Sequence, residues 1–207
     1  QKRIIREANA LGKQVITATQ MLESMIQSPV PTRAEVSDIA NAIFDGTDAV
    51  MLSEESTLGK YPVEAVTMMT RIAETVEASI PRVPVAATSI VDTISTSVVD
   101  ICEHIGATTI VVLTESGCSA QMIARFKPFC PIIALSPNQA TVERLTLVRG
   151  VYPFLADAGK TTDEVIAFVS RFLLENKLAK SGDHVVVTAG LKFGIPGSTD
   201  TLCVITV

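Results

Sequence analysis

The sequence predicts an α/β protein in two segments, and three observations carry that expectation. Stretches with helical apolar spacing alternate with short β-rich runs along the 207 residues. The longest apolar runs, over 110–113 and 185–187, are strand-sized. Two closely spaced prolines, Pro81 and Pro84, make 80–85 an extended stretch. The boundary falls there, giving segments 1–80 and 81–207.

The spacing in the first segment predicts a helix over 2–11 stopped at Gly12, a β-rich run over 14–18, and a helix over 21–26. Pro29 and Pro31 then break the chain. Helical spacing resumes over 33–44, with Val36, Ile39, Ala40 and Ile43 on one face, until Asp45-Gly46 turns the chain. The run 49–52, ending at Ser53, fits a parallel strand buried on both faces. A helix over 62–78 closes the segment; Pro62 suits its first turn, where a missing N–H costs nothing.

The second segment predicts helices over 90–105, 119–126, 139–148 and 162–178, and strands over 109–113, 132–135, 151–155, 184–187 and 202–206. This is a three-layer α/β/α domain on a mostly parallel five-stranded sheet whose last strand returns as a hairpin. Ligands of such sheets bind in loops at the carboxyl ends of the strands.

With 47% hydrophobic residues the chain can bury sizeable cores. A net charge of -5 with thinly spread Lys and Arg excludes a basic track for nucleic acid. No apolar run approaches the roughly 20 residues that cross a bilayer, so no membrane segment is expected. Residues 1–6 open an amphipathic helix without the apolar core of a signal peptide. A start inside a helix, with no capping residue ahead of it, suggests a cut or trimmed product. The four cysteines form no CxxC pair and His104 and His184 complete no zinc spacing, which favours reduced thiols and a cytoplasmic location.

Two regions carry candidate chemistry. The loop after the first strand reads TATQMLESM, placing the Thr19 hydroxyl between a strand end and a helix start, where a threonine also serves as a simple cap. In the second segment Thr114, Glu115, Ser116, Gly117 and Ser119 join a strand to a helix, so that hydroxyls and free N–H groups converge; capping alone is again the plainer alternative. A second loop over 188–201, containing Gly197, Ser198 and Thr199, offers glycines for close backbone approach and hydroxyls that face the first loop across the sheet end. Lys192 offers a charge there, although an exposed loop lysine is the commoner outcome.

The series TATQMLESM, PTRAEVSDIANAIFDGTDAVMLS and GKYPVEAV, continued by ARFKPFCPIIALSPN and LVRGVYP, resembles the pyruvate kinases over nearly the whole chain. The resemblance implies that 1–80 is the C-terminal part of a catalytic (β/α)8 TIM barrel and 81–207 the allosteric and assembly domain. It implies phosphoryl transfer from phosphoenolpyruvate to ADP, with Thr19 and Ser53 in the network that protonates the enolate. Gln20 and Glu23 are expected to support the substrate loop. Arg33 and Glu35 fall near the active site and a subunit contact, with a helix-start ion pair as the plainer reading. Glu54 departs from the family's small residue after the serine, giving SEES.

The resemblance further implies Mg2+ or Mn2+, and K+ in some members, held by earlier barrel strands outside this chain, so the isolated chain is expected to be inactive. It implies a homotetramer and an effector pocket built from the two hydroxyl loops. Glu115 and Cys118 stand where some members carry basic residues, which favours a sugar monophosphate or AMP over a bisphosphate. Arg125, Lys127 and Arg149 read as structural or surface cations. The alternative is a non-catalytic regulatory module that binds phosphorylated metabolites.

Overall fold

The computed structural model describes residues 1–18, 20–77, 79–80, 89–159, 161–190 and 199–207, without the side chain of Thr199. The chain forms two compact units, 1–81 and 82–207. The predicted extended stretch after residue 80 lies outside the described residues.

In the first unit the order is α1 (Lys2–Ala10), β1 (Ile16–Thr17), a 3-10 turn (Glu23–Ile26), α2 (Arg33–Phe44), β2 (Ala49–Val50), α3 (Glu54–Thr57) and α4 (Pro62–Glu77). α2 begins where Thr32 and Glu35 cap each other reciprocally, the side chain of each meeting the backbone N–H of the other. β1 and β2 pair in parallel, Ile16 with Ala49 and Thr17 with Val50. Leu22, Met25, Ile39, Ala42, Ala65, Met69 and Ile72 pack as the core between the loops, α2 and α4.

Three expectations for this unit are corrected. The strand expected over 49–52 has two residues, and both are half-buried rather than enclosed on two faces. Among the described residues its ladder has one partner strand, and the pairing ends at Val50 opposite Thr17. The helix expected over 21–26 is a single 3-10 turn over Glu23–Ile26, because Gln20 at φ 53 and Leu22 at φ -134 and ψ 41 are not helical and the chain leaves the turn at Gln27. The β-rich run expected over 14–18 is the two-residue strand β1, and the short helix α3 was not anticipated.

The second unit contains α5 (Ile90–Ile105), β3 (Thr109–Leu113), α6 (Cys118–Ala124), β4 (Ile132–Ser136), α7 (Gln139–Leu145), β5 (Val151–Leu155), α8 (Thr162–Glu175), β6 (His184–Gly190) and β7 (Thr199–Thr206). The sheet order is β5-β4-β3-β6-β7, all parallel except β7, which runs antiparallel to β6. This is the mostly parallel five-stranded sheet that the pattern predicts. β-strand alternation divides its side chains between two cores. Ile110, Val112, Ile132, Ala134 and Val186 meet α5, α6 and α7, whereas Val111, Ile133, Leu135, Val185 and Val187 meet α8. α5 is bounded by the Ser89 cap and by Gly106 in the left-handed region at φ 63. α7 and α8 end earlier than expected; α8 stops where Asn176 and Lys177 turn the chain.

Among the described residues no helix is long and apolar enough to cross a membrane.

Candidate functional site at two strand ends

In the first unit the loops after β1 and β2 leave the same end of a parallel pair, and Met51 N–H donates to the Thr17 carbonyl at 2.9 Å as the last rung. At the opposite end the register is pinned. Asp48 Oδ2 accepts the Val15 N–H at 2.9 Å, and the buried Thr47 hydroxyl lies 3.0 Å from the carbonyl oxygens of Val15 and Ala49.

The two loops are tied by one carboxylate. Glu55, 3% exposed, accepts the Leu22 N–H on Oε1 at 3.1 Å and the Ser53 N–H on Oε2 at 2.8 Å. A second carboxylate braces the same loop further on. Glu35 Oε1 accepts the Ser24 N–H at 2.7 Å, while Oε2 accepts the Ser24 hydroxyl at 2.5 Å and the Thr32 N–H at 2.7 Å. Burial pushes both carboxyl groups up, but the hydrogen bonds they accept outweigh it and hold each below the usual range. Both therefore serve as fixed anionic acceptors.

Ser53 stands at the N-cap position of α3, yet its side chain makes no capping bond, and the residue is exposed. Thr19 lies outside the described residues. Gln20 and Glu23 are exposed, and the carboxylates that grip the loop backbone are Glu55 and Glu35. Glu35 is engaged in capping and loop bracing rather than in an ion pair with Arg33. Sequence reasoning missed Glu55. Its only signal was a carboxylate two residues after a strand-end serine, indistinguishable there from the exposed Glu54.

Among the described residues no three His, Cys, Asp or Glu side chains converge to hold a metal ion. The two carboxylates nearest the strand ends are engaged with N–H and O–H donors, so the described residues do not fit a divalent-cation site.

In the second unit the chain runs from β3 outward to β4 and β5, then returns to β6 on the other side of β3. The crevice between the carboxyl ends of β3 and β6 is the switch point where open α/β sheets bind ligands. The β3 loop is well fixed there. Thr114 Oγ1 accepts the Gly117 N–H at 2.9 Å, the Thr141 hydroxyl donates to the Glu115 carbonyl at 2.8 Å, and Arg144 Nη2 donates to the Ser116 carbonyl at 2.6 Å. Gly117 adopts φ 81, and a Cβ there would lie 3.1 Å from Leu145 Cδ2. Only glycine meets both demands. Ser119 is buried in the first turn of α6, whereas Glu115 and Ser116 are half-buried. β6 ends at Gly190, which pairs with Thr199 of β7. Lys192, Gly197, Ser198 and the side chain of Thr199 lie outside the described residues.

Fold and strand ends together define an α/β protein with two units, each presenting hydroxyl-bearing loops at the carboxyl ends of parallel strands. Comparison with known proteins is specific. The barrel domain of pyruvate kinase matches residues 1–66, and the pyruvate kinase alpha/beta domain matches 92–205. Pyruvate kinase 2 of Synechocystis sp. is 46% identical over 205 residues, and the pyruvate kinase of Geobacillus stearothermophilus 47% identical over 209, each alignment covering 98% of this chain. That of Dictyostelium discoideum is 42% identical over 219 residues and covers 100% of it. The chain belongs to the pyruvate kinase family. It spans 35%, 36% and 43% of the length of these three relatives, respectively.

Proposed function

We propose that this chain is the C-terminal portion of a pyruvate kinase that transfers the phosphoryl group of phosphoenolpyruvate to ADP, giving pyruvate and ATP. The observation that carries the reading is the Glu55 carboxylate, which ties the loop after β1 to the loop bearing Ser53 at the carboxyl end of one parallel pair. In β/α barrels that end carries the chemistry. Residues 1–80 are assigned to the last barrel units and 81–207 to the regulatory domain. Thr19 and Ser53 are assigned to the proton relay that converts enolpyruvate to pyruvate. A hydroxyl passes a proton between water molecules but is too weak an acid to supply it unaided.

Transfer of a phosphoryl group needs cationic groups clamping its oxygens. The Mg2+ or Mn2+, the K+ and their ligands are assigned to the part of a longer protein that precedes Gln1. The isolated chain is accordingly inactive, and the working form is a cytoplasmic homotetramer. A lactate dehydrogenase-coupled assay tests this: the longer protein turns over phosphoenolpyruvate and ADP, and this chain does not. Turnover by this chain alone overturns the assignment of the missing groups, and no turnover by the longer protein overturns the reading itself.

The switch-point crevice of the second unit favours a regulatory role beside the catalytic one. Its assigned ligand is a sugar monophosphate or AMP, held by Thr114, Ser116, Gly117, Ser119, Gly197, Ser198 and Thr199, with Glu115 at the rim disfavouring a bisphosphate. Calorimetry with ribose 5-phosphate, glucose 6-phosphate and AMP tests it. Heat with one of them, abolished by Ser116→Asp, supports the pocket, and silence with all three counts against it.

A further inference from the structure

Cys102 lies in the last turn of α5, and Cys130 lies two residues before β4. They are 0% and 5% exposed and belong to the core packed between α5, α6, α7 and the sheet. Their Sγ atoms are 2.7 Å apart, and Cys102 Sγ also lies 3.6 Å from the Ala107 carbonyl oxygen. Both are free thiols.

A disulfide needs its sulfurs at about 2.05 Å and its Cα atoms within about 7 Å. At 2.7 Å these sulfurs are within about 1 Å of bonding distance, a gap that side-chain torsion can close. The backbone around them is anchored on both sides: Ala107 N–H donates to the Cys102 carbonyl at 2.9 Å, and Ile110 N–H in β3 to the Pro131 carbonyl at 3.0 Å. The pair is also asymmetric. The hydrogen bond from Cys130 holds the Cys102 thiol below its ordinary range despite burial, while the same bond and burial push Cys130 up. The hydrogen bond from Cys130 thus favours the thiolate on Cys102, and the 2.7 Å separation puts either sulfur within reach of the other.

We propose that Cys102 and Cys130 form a redox modification site, a thiol pair that a hydroperoxide converts to an intramolecular disulfide within the folded α/β unit. In the first step the Cys102 thiolate attacks the peroxide; an S–O bond forms, the O–O bond breaks, and the leaving oxygen departs as water after taking a proton. Cys130 sulfur then attacks the sulfenic acid, an S–S bond forms, the S–O bond breaks, and a second water leaves with the Cys130 proton. Two thiols are oxidised by two electrons and one hydrogen peroxide is reduced to two waters. The bond joins the C-terminal turn of α5 to the approach of β4, beside the strand that carries the Thr114 loop.

The test uses the intact chain. After hydrogen peroxide treatment and alkylation, mass spectrometry of the unreduced digest is expected to show peptides containing Cys102 and Cys130 joined, lighter by two hydrogens than their sum, with Cys118 and Cys203 alkylated. The urea midpoint of the oxidised protein rises and returns with dithiothreitol. In Cys130→Ala, dimedone labels Cys102. The proposal is overturned if Cys102 and Cys130 are both recovered alkylated at a peroxide dose that fully oxidises glutathione. It is equally overturned if they become sulfinic acids without joining, or if the links formed involve Cys118 or Cys203.

Discussion

Glu55 and Leu22 are 33 positions apart, and the carboxylate of one accepts the backbone N–H of the other at 3.1 Å in a buried setting. The second oxygen of the same carboxylate holds Ser53. This side chain, together with the Lys60 N–H that donates to the Ile26 carbonyl at 2.9 Å, fixes the spacing of two strand-end loops that, among the described residues, have no ladder hydrogen bond beyond Thr17 and Met51.

Replacing Glu55 by Gln leaves one acceptor where two N–H donors need one each, and turns an amide donor toward the other. An unsatisfied buried donor costs about 1–3 kcal/mol, and that loss is expected in urea unfolding of the first unit. Glu55→Asp, one methylene short of bridging both loops, is expected to lie between wild type and Gln.

The depressed carboxyls of Glu35 and Glu55 give stability a definite pH dependence. Their folded-state values lie below the ordinary 4.5, so the folded state binds fewer protons than the unfolded state. The stabilisation is complete above that value and is lost as pH falls through the lower folded one. Urea midpoints measured from pH 6 downward are expected to decline less steeply below about pH 4.5 in Glu35→Gln and Glu55→Gln than in wild type.

In the second unit, Asp92 and Arg125 form an ion pair with both residues under 10% exposed. Removing the carboxylate takes the paired anion from a buried guanidinium, so Asp92→Ala is expected to cost about 3–5 kcal/mol. The double variant Asp92→Ala with Arg125→Met is expected to recover much of that loss. A denaturant double-mutant cycle measures the coupling.

Gly117→Ala places a methyl against Leu145 in a left-handed backbone. The conformational part alone costs about 1–2 kcal/mol. A lowered melting temperature is expected, together with weaker binding of any phosphorylated ligand by calorimetry, because the β3 loop must shift to admit the methyl.

How far the sequence could be read depended on whether local or distant groups decide each residue. β3, β5, α2 and α5 matched expectation at both ends, because apolar period, a Ser or Thr cap and a terminating Gly106 or Asp45 act within one turn. The two-residue strands β1 and β2 were over-read, since their length is set by pairing rather than by their own apolar character. Glu55 and Asp92 were not singled out, because each takes its meaning from Leu22 or Arg125, 33 positions away in both cases. Arg125 was read as a structural or surface cation, and burial beside Asp92 decides for the structural role. The candidate site residues, Ser53 assigned by resemblance and the Thr114 loop read from its strand-to-helix pattern, stand at the carboxyl ends of parallel strands.

The most direct measurement is the exchange of pyruvate methyl protons with deuterated water, followed by NMR, in a longer protein that includes this chain. It isolates the proton transfer assigned to the β1 and β2 strand ends from the phosphoryl step. Ser53→Ala, with its fold verified by circular dichroism, is expected to slow exchange by about 100-fold or more, the usual worth of a placed proton-transfer group. Exchange at the wild-type rate in that variant would contradict the assignment of this strand end to the chemistry.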